Sequence, residues 1–188
     1  MNELARSYRR HGMGPISTAL IVWVTMLLAL RTAGAAVAED ARVARGEYLV
    51  NLAGCGHCHT PGHMFGKPDM SRYLAGSDVG FAVPGVGTFV GRNLTPDKDT
   101  GIGNWSVEQI VTALRGGVRP DGRMLSPIMP WQNYSNMTHS DAIAIAVYLK
   151  TLPPIKQKIP GPFTANEPVS GVRGSVKLPA PEATASGK

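Results

Sequence analysis

Two cysteines are all that the 188 residues contain. A four-ligand zinc site needs a second cysteine pair, so that reading falls away. A redox Cys-x-x-Cys needs a thioredoxin-like βαβ pattern around it, and none follows. No internal repeat is present. The longest apolar run, residues 16–30, has 15 residues and stops at Arg31, whereas a membrane span needs about 20. Net charge is +6, from 19 basic and 13 acidic residues. Residues 1–38 hold four of those bases and one of those acids, and without them the charge is +3. Nucleic-acid binding would need basic residues clustered on one face, so no nucleic-acid partner is expected.

What is present is Cys55-Gly56-His57-Cys58-His59. Cys-x-x-Cys-His is the attachment signature of c-type haem. Two thiols three residues apart on one helical turn both reach the vinyl groups along one haem edge and form thioethers. The next histidine then lies under the iron as proximal ligand. The expected cofactor is therefore one covalent haem c, bound by Cys55 and Cys58 with His59 as a metal ligand. A second such motif is absent, so one haem is the limit.

The amino terminus fits this chemistry. Arg6, Arg9, Arg10 and His11 precede the apolar run, and Ala36-Val37-Ala38 offers a small-residue cleavage site before Glu39. These are the three parts of a secretory signal, so residues 1–38 are expected to be a cleaved signal peptide. The alternative is a retained membrane anchor. Export places the chain in the periplasm, where haem attachment takes place, and the cofactor consumes both otherwise free thiols.

Residues 39–154 read as the haem domain. Asp40–Ala53 is an expected helix, with Val43, Gly46, Tyr48, Leu49, Val50 and Leu52 mostly on one side. Residues 60–104 are rich in Gly, Pro, Asp and Asn and read as ordered loops. Within them, two apolar segments flank Pro84-Gly85 as a small hairpin. Ser106 with Gln109 forms a capping box for a helix that Gly116-Gly117 stops. Thr138 with Asp141 caps a last helix, ended by Pro153-Pro154. Residues 155–188, with five prolines, read as an extended or disordered tail, with Phe163 as a docking point. Asp97, Asp99 and Glu108 fall at calcium-loop positions, but Ile102 stands where that loop needs glycine, which argues against calcium.

The iron's sixth position has several candidates: Met64, Met70, Met124, Met129, Met137, His63 and His139. Met64, Met70 and His63 follow His59 too closely to reach round the porphyrin. Met124, Met129 and Met137 lie in the loop between the last two helices. Met129 sits in Ser126-Pro127-Ile128-Met129-Pro130-Trp131, where prolines fix a strap. Core packing is the ordinary role of such a methionine, and position alone leaves the choice even. Trp105, Trp131 and Tyr134 are placed for the haem rim or for loop packing, and Arg92 or Asn93 for a propionate.

Arg45-Gly46-x-Tyr48-Leu49, the Cys55–His59 motif and Asn93-Leu94-Thr95-Pro96-Asp97 belong to a wider pattern. So do Thr100 to Trp105, Gly117 to Arg123, Met129-Pro130 and Tyr148-Leu149-Lys150-x-Leu152-Pro153-Pro154. With them the chain resembles class I cytochrome c, and more closely one haem domain of the cytochrome c subunits of bacterial alcohol and gluconate dehydrogenases. Those subunits usually carry three such domains and a carboxy-terminal anchor, whereas this chain has one motif. The resemblance implies an all-α cytochrome c fold, with helices around one haem and long ordered loops. It also implies Met129 as distal ligand and a crossing of the first and last helices at Gly46.

The function expected is electron transfer without substrate catalysis, from a periplasmic or membrane-associated dehydrogenase to an oxidase or another cytochrome of the respiratory chain. Membrane association is expected only through partners or an uncleaved amino terminus. The rival is a haem site with an open or displaceable sixth position, suited to catalysis or gas sensing.

Overall fold

The computed structural model describes residues 15–179. Arg6, Arg9, Arg10, His11 and residues 180–188 lie outside them. The chain divides into two compact units, Met1–Ala41 and Arg42–Lys188. Helix α1, Pro15–Leu52, is continuous through the cleavage point expected after Ala38. In the first unit Leu20, Ile21, Trp23, Leu27 and Leu28 are exposed. Among the described residues no helix is long and apolar enough to cross a membrane.

The second unit holds the attachment turn α2 (Cys55–His59), then β1 (Val79–Val83) and β2 (Gly87–Val90). Helices α3 (Val107–Gly116), α4 (Trp131–Tyr134) and α5 (His139–Thr151) follow, and β3 (Phe163–Thr164) and β4 (Gly174–Lys177) complete it. Helices α3 and α5 begin where side chains replace missing backbone partners. Ser106 accepts from the Gln109 amide at 3.1 Å while the Gln109 side chain accepts from the Ser106 amide at 2.9 Å. Thr138 accepts from the Asp141 amide at 3.1 Å.

The core joins the last turns of α1 to α3 and α5 through Leu49, Val50, Ile110, Val111, Leu114, Ile145 and Leu149. A Cβ on Gly46 would lie 2.0 Å from the Ala144 carbonyl oxygen and 2.7 Å from the Tyr148 Cβ. The first and last helices therefore cross at Gly46 with backbone against backbone. Tyr48 and Leu52, which periodicity places on the packed side, are exposed, and Arg45 lies over the Tyr48 ring at 5.4 Å.

The all-α expectation needs correction. Beside the helices stands a four-stranded sheet in the order β3-β2-β1-β4. β1 and β2 form the antiparallel hairpin around Pro84-Gly85, with Gly80 opposite Val90 and Val83 opposite Gly87. The outer strands come from beyond Pro154, β3 antiparallel to β2 and β4 parallel to β1. They escape hydropathy analysis because they are two and four residues long and are joined by main-chain bonds. Ile159 and Phe163 are buried with Val90.

Gly46→Ala tests the helix crossing. Alanine gains about 1 kcal/mol of helix propensity, but overpacking against rigid backbone costs about 3 kcal/mol. A net loss of about 2 kcal/mol in urea unfolding is expected on those figures. An unchanged or higher midpoint would contradict the crossing.

Candidate haem-attachment site

Helix α1 closes with the Ala53 amide donating to the Leu49 carbonyl at 2.8 Å. Gly54 then adopts a left-handed conformation, φ 66°, which glycine reaches without Cβ strain. The chain re-enters a helix at once, so Cys55 and Cys58 lie on one turn and face the same side. Both thiols are free and half-buried. Burial pushes the Cys55 thiol up to about 11 and raises that of Cys58, so both stay protonated at neutral pH. His57 turns outward, its ring 4.1 Å from that of His63.

His59, by contrast, is buried. Its Nδ1 lies 2.7 Å from the carbonyl oxygen of Arg92. A carbonyl only accepts, so Nδ1 carries the hydrogen and Nε2 keeps the lone pair a metal requires. Burial lowers the imidazole pKa and favours that neutral form, against a smaller opposing effect of the Arg92 bond. The Gly76 amide donates to the His59 carbonyl at 2.8 Å, which fixes the backbone as well. A Cβ on Gly91 would fall 1.6 Å from the Cys58 carbonyl oxygen, so the strand end leading to Arg92 lies directly against the attachment turn.

The two residues considered for a propionate are otherwise engaged. Arg92 donates through one guanidinium nitrogen to the Ile159 carbonyl at 2.5 Å and through the other to the Gly161 carbonyl. Asn93 donates to Ile155 at 2.7 Å and to Thr100 at 3.1 Å, and its carbonyl accepts from Thr95 at 2.8 Å. Cationic demand lies nearby instead. Burial lowers the Arg92 pKa, and the positive charges of Arg119 and Arg123 lower it further. The Nε atoms of Arg115 and Arg119 are buried without an acceptor. Buried cationic donors left unmatched are costly. Two free thiols on one turn and a buried imidazole with Nε2 in reserve are a donor set that fits haem c. Arg119 reaches Asp121 and Arg115 the Ser135 carbonyl through their terminal nitrogens, which leaves only the two Nε donors for a carboxylate.

The distal candidates separate by position. Met64, Met70 and Met124 are exposed at 44%, 63% and 56%, and His139 is exposed at the start of α5. Met129 and Met137 are half-buried against the main core, as Cys55 is. The Met129 amide donates to Ser126 at 3.0 Å and the Trp131 amide to Met129 at 2.8 Å, so the strap is a tight turn into α4. The Trp131 ring lies against Gly117. Tyr134, at the end of α4, donates to the Ala53 carbonyl at 3.3 Å. Its hydroxyl is pushed up to about 12, first by burial and then by the Cys55 and Cys58 thiols. The Met129 strap therefore leads, through Tyr134, to the attachment turn. Sequence reasoning noted Tyr134 only as rim or loop packing and did not single out Arg115 or Arg119; no local spacing marks any of the three.

A paired thiol turn followed by an oriented, buried histidine defines a site for covalent haem of the c type. No family model matches the chain. It is 36% identical over 136 residues to the fructose dehydrogenase cytochrome subunit of Gluconobacter japonicus, which covers 69% of this chain and 26% of that protein. It is 36% identical over 143 residues to the gluconate 2-dehydrogenase cytochrome c subunit of Pantoea cypripedii, covering 73% of this chain and 30% of the relative. A diheme cytochrome c-type protein of Cereibacter sphaeroides matches at 34% over 110 residues, 58% of this chain and 36% of its own length. The matched region is a cytochrome c domain, similar to one haem domain of bacterial dehydrogenase cytochrome c subunits. The chain spans about a quarter to a third of the length of these relatives.

Removal of single thiols tests the attachment directly. Cys55→Ala or Cys58→Ala matured with haem should keep one thioether and shift the reduced pyridine haem band to longer wavelength. The double variant should lose all haem on denaturing electrophoresis. Retention of covalent haem in the double variant would contradict the site.

Proposed function

We propose that this chain is a periplasmic electron-transfer cytochrome holding one haem c on Cys55 and Cys58, with His59 and Met129 as axial ligands. It passes electrons from a dehydrogenase to a respiratory acceptor, an oxidase or another cytochrome, and does not itself catalyse a substrate reaction. The observation that carries this reading is the His59 imidazole, held 2.7 Å from a backbone carbonyl on the turn that bears both thiols. The names of its relatives, cytochrome subunits of fructose and gluconate dehydrogenases, support a dehydrogenase as donor. The single Cys-x-x-Cys-His supports one haem. The signal-like residues 1–38 support export; left uncleaved, their apolar run would tie the domain to the membrane.

When bound, haem c supplies a reversible one-electron couple between ferric and ferrous iron. The rest is the work of the chain. Cys55 and Cys58 fix one edge of the group from a turn that is itself half-buried. The Arg92 carbonyl sets the His59 ring orientation and strengthens Nε2 as a donor. As an iron ligand, the neutral thioether of Met129 would favour the reduced state and raise the potential. Other partly buried side chains packed on the same core as Met129, among them Leu94, Trp105 and Tyr134, would limit water and disfavour the extra positive charge of the oxidised state. With His59 and Met129 both holding the iron, the bound group would have no coordination site open to a substrate. Contact with redox partners is expected to be small and transient.

Two methionines share the core, so both are replaced in the test. Met129→Ala should remove the weak far-red iron–methionine band of the ferric protein and allow carbon monoxide to bind the ferrous form. Met137→Ala should leave both properties as in the parent. The reverse pattern would transfer the ligand to Met137. Carbon monoxide binding by the unaltered protein would favour a catalytic or gas-sensing site.

A further inference from the structure

We infer that residues 155–163 brace the proximal histidine, and that Arg92 is the positioning residue through which they act. The inference rests on His59 as the haem ligand. His59 is held at two points, ring and backbone, and this segment grips the partner at each.

At the ring, Nδ1 donates to the Arg92 carbonyl at 2.7 Å. The guanidinium of the same residue donates to the carbonyls of Ile159 and Gly161, 67 and 69 residues further along. At the backbone, the Gly76 amide donates to the His59 carbonyl at 2.8 Å. A Cβ on Gly76 would lie 2.3 Å from Cδ1 of Ile159, so the Ile159 side chain fills the space that Gly76 leaves. The two points are tied to each other, since the Ser77 amide donates to the Gly91 carbonyl at 2.9 Å.

The segment is itself anchored at both ends. The Ile155 amide donates to Thr95 at 3.1 Å, and the Asn93 side chain donates to the Ile155 carbonyl at 2.7 Å. Thr88 of β2 pairs with Phe163 of β3, and the Phe163 side chain is buried. An arginine holding two carbonyls with a planar fork has little freedom to shift. Its own carbonyl is then a fixed acceptor, and the imidazole that depends on it keeps one orientation and one donor strength.

Removing the grip should free the Arg92 carbonyl and weaken the bond from Nδ1. His59 then becomes a poorer donor, ferric iron loses more than ferrous iron, and the potential rises. Arg92→Lys keeps the charge and loses the fork. Ile159→Ala keeps the charge and empties the space over Gly76. In both variants the haem-loaded protein should carry the same covalent haem content as the parent. The ferrous-to-ferric ratio at fixed poise should rise about tenfold, about 59 mV for one electron. Exchange of the His59 Nδ1 hydrogen with deuterium, followed by NMR in the ferrous protein, should quicken by about tenfold or more.

Urea unfolding of the same variants separates a general loss of stability from this effect. Lower stability with unchanged potential and unchanged Nδ1 exchange in either variant would overturn the brace and leave the haem assignment standing. Absence of attached haem from the parent protein would overturn both.

Discussion

The hydrogen bond between His59 Nδ1 and the Arg92 carbonyl, 2.7 Å long, is the constraint on which the site depends. It decides three things at once. It selects the tautomer with Nε2 free, it orients the ring, and it joins the attachment turn to a loop 33 residues further along. Burial supports the same state, because a desolvated imidazole resists protonation.

Around that bond the domain distributes its tasks. The helices supply the apolar core, where α1 and α5 approach closely at Gly46 and α3 packs on α5. The loops and the sheet supply position. Gly91 lies against Cys58, the α4 turn brings Tyr134 to Ala53, and the strands after Pro154 fasten onto the hairpin. Such a division suits an electron carrier, whose ligands must move little between oxidation states. The Nε atoms of Arg115 and Arg119 are buried without an acceptor.

Much of this was legible from residue order alone. The attachment motif is local, and its spacing carries its chemistry. The Ser106/Gln109 and Thr138/Asp141 caps and the Pro84-Gly85 hairpin are likewise local, and each lies where the sequence placed it. The Gly46 crossing entered through resemblance to a known family, and the backbone contact with Ala144 gives it a physical cause. The sheet's outer strands were not legible, because main-chain pairing leaves little trace in side-chain periodicity. The double grip of Arg92 was hidden for the same reason. Its partners are carbonyls of Ile159 and Gly161, which any residue offers. Tyr48 and Leu52 show the opposite failure, with apolar spacing on a helix face that the domain leaves exposed.

The most direct test of the account is a spectroscopic redox titration of the intact protein matured with haem. A single one-electron wave between low-spin ferric and low-spin ferrous forms, unchanged under carbon monoxide, is the predicted result. It would mean that protein side chains occupy both axial positions in both oxidation states. A high-spin ferric spectrum, or a wave displaced by carbon monoxide, would contradict the central claim and point to a haem site built to bind or transform a ligand.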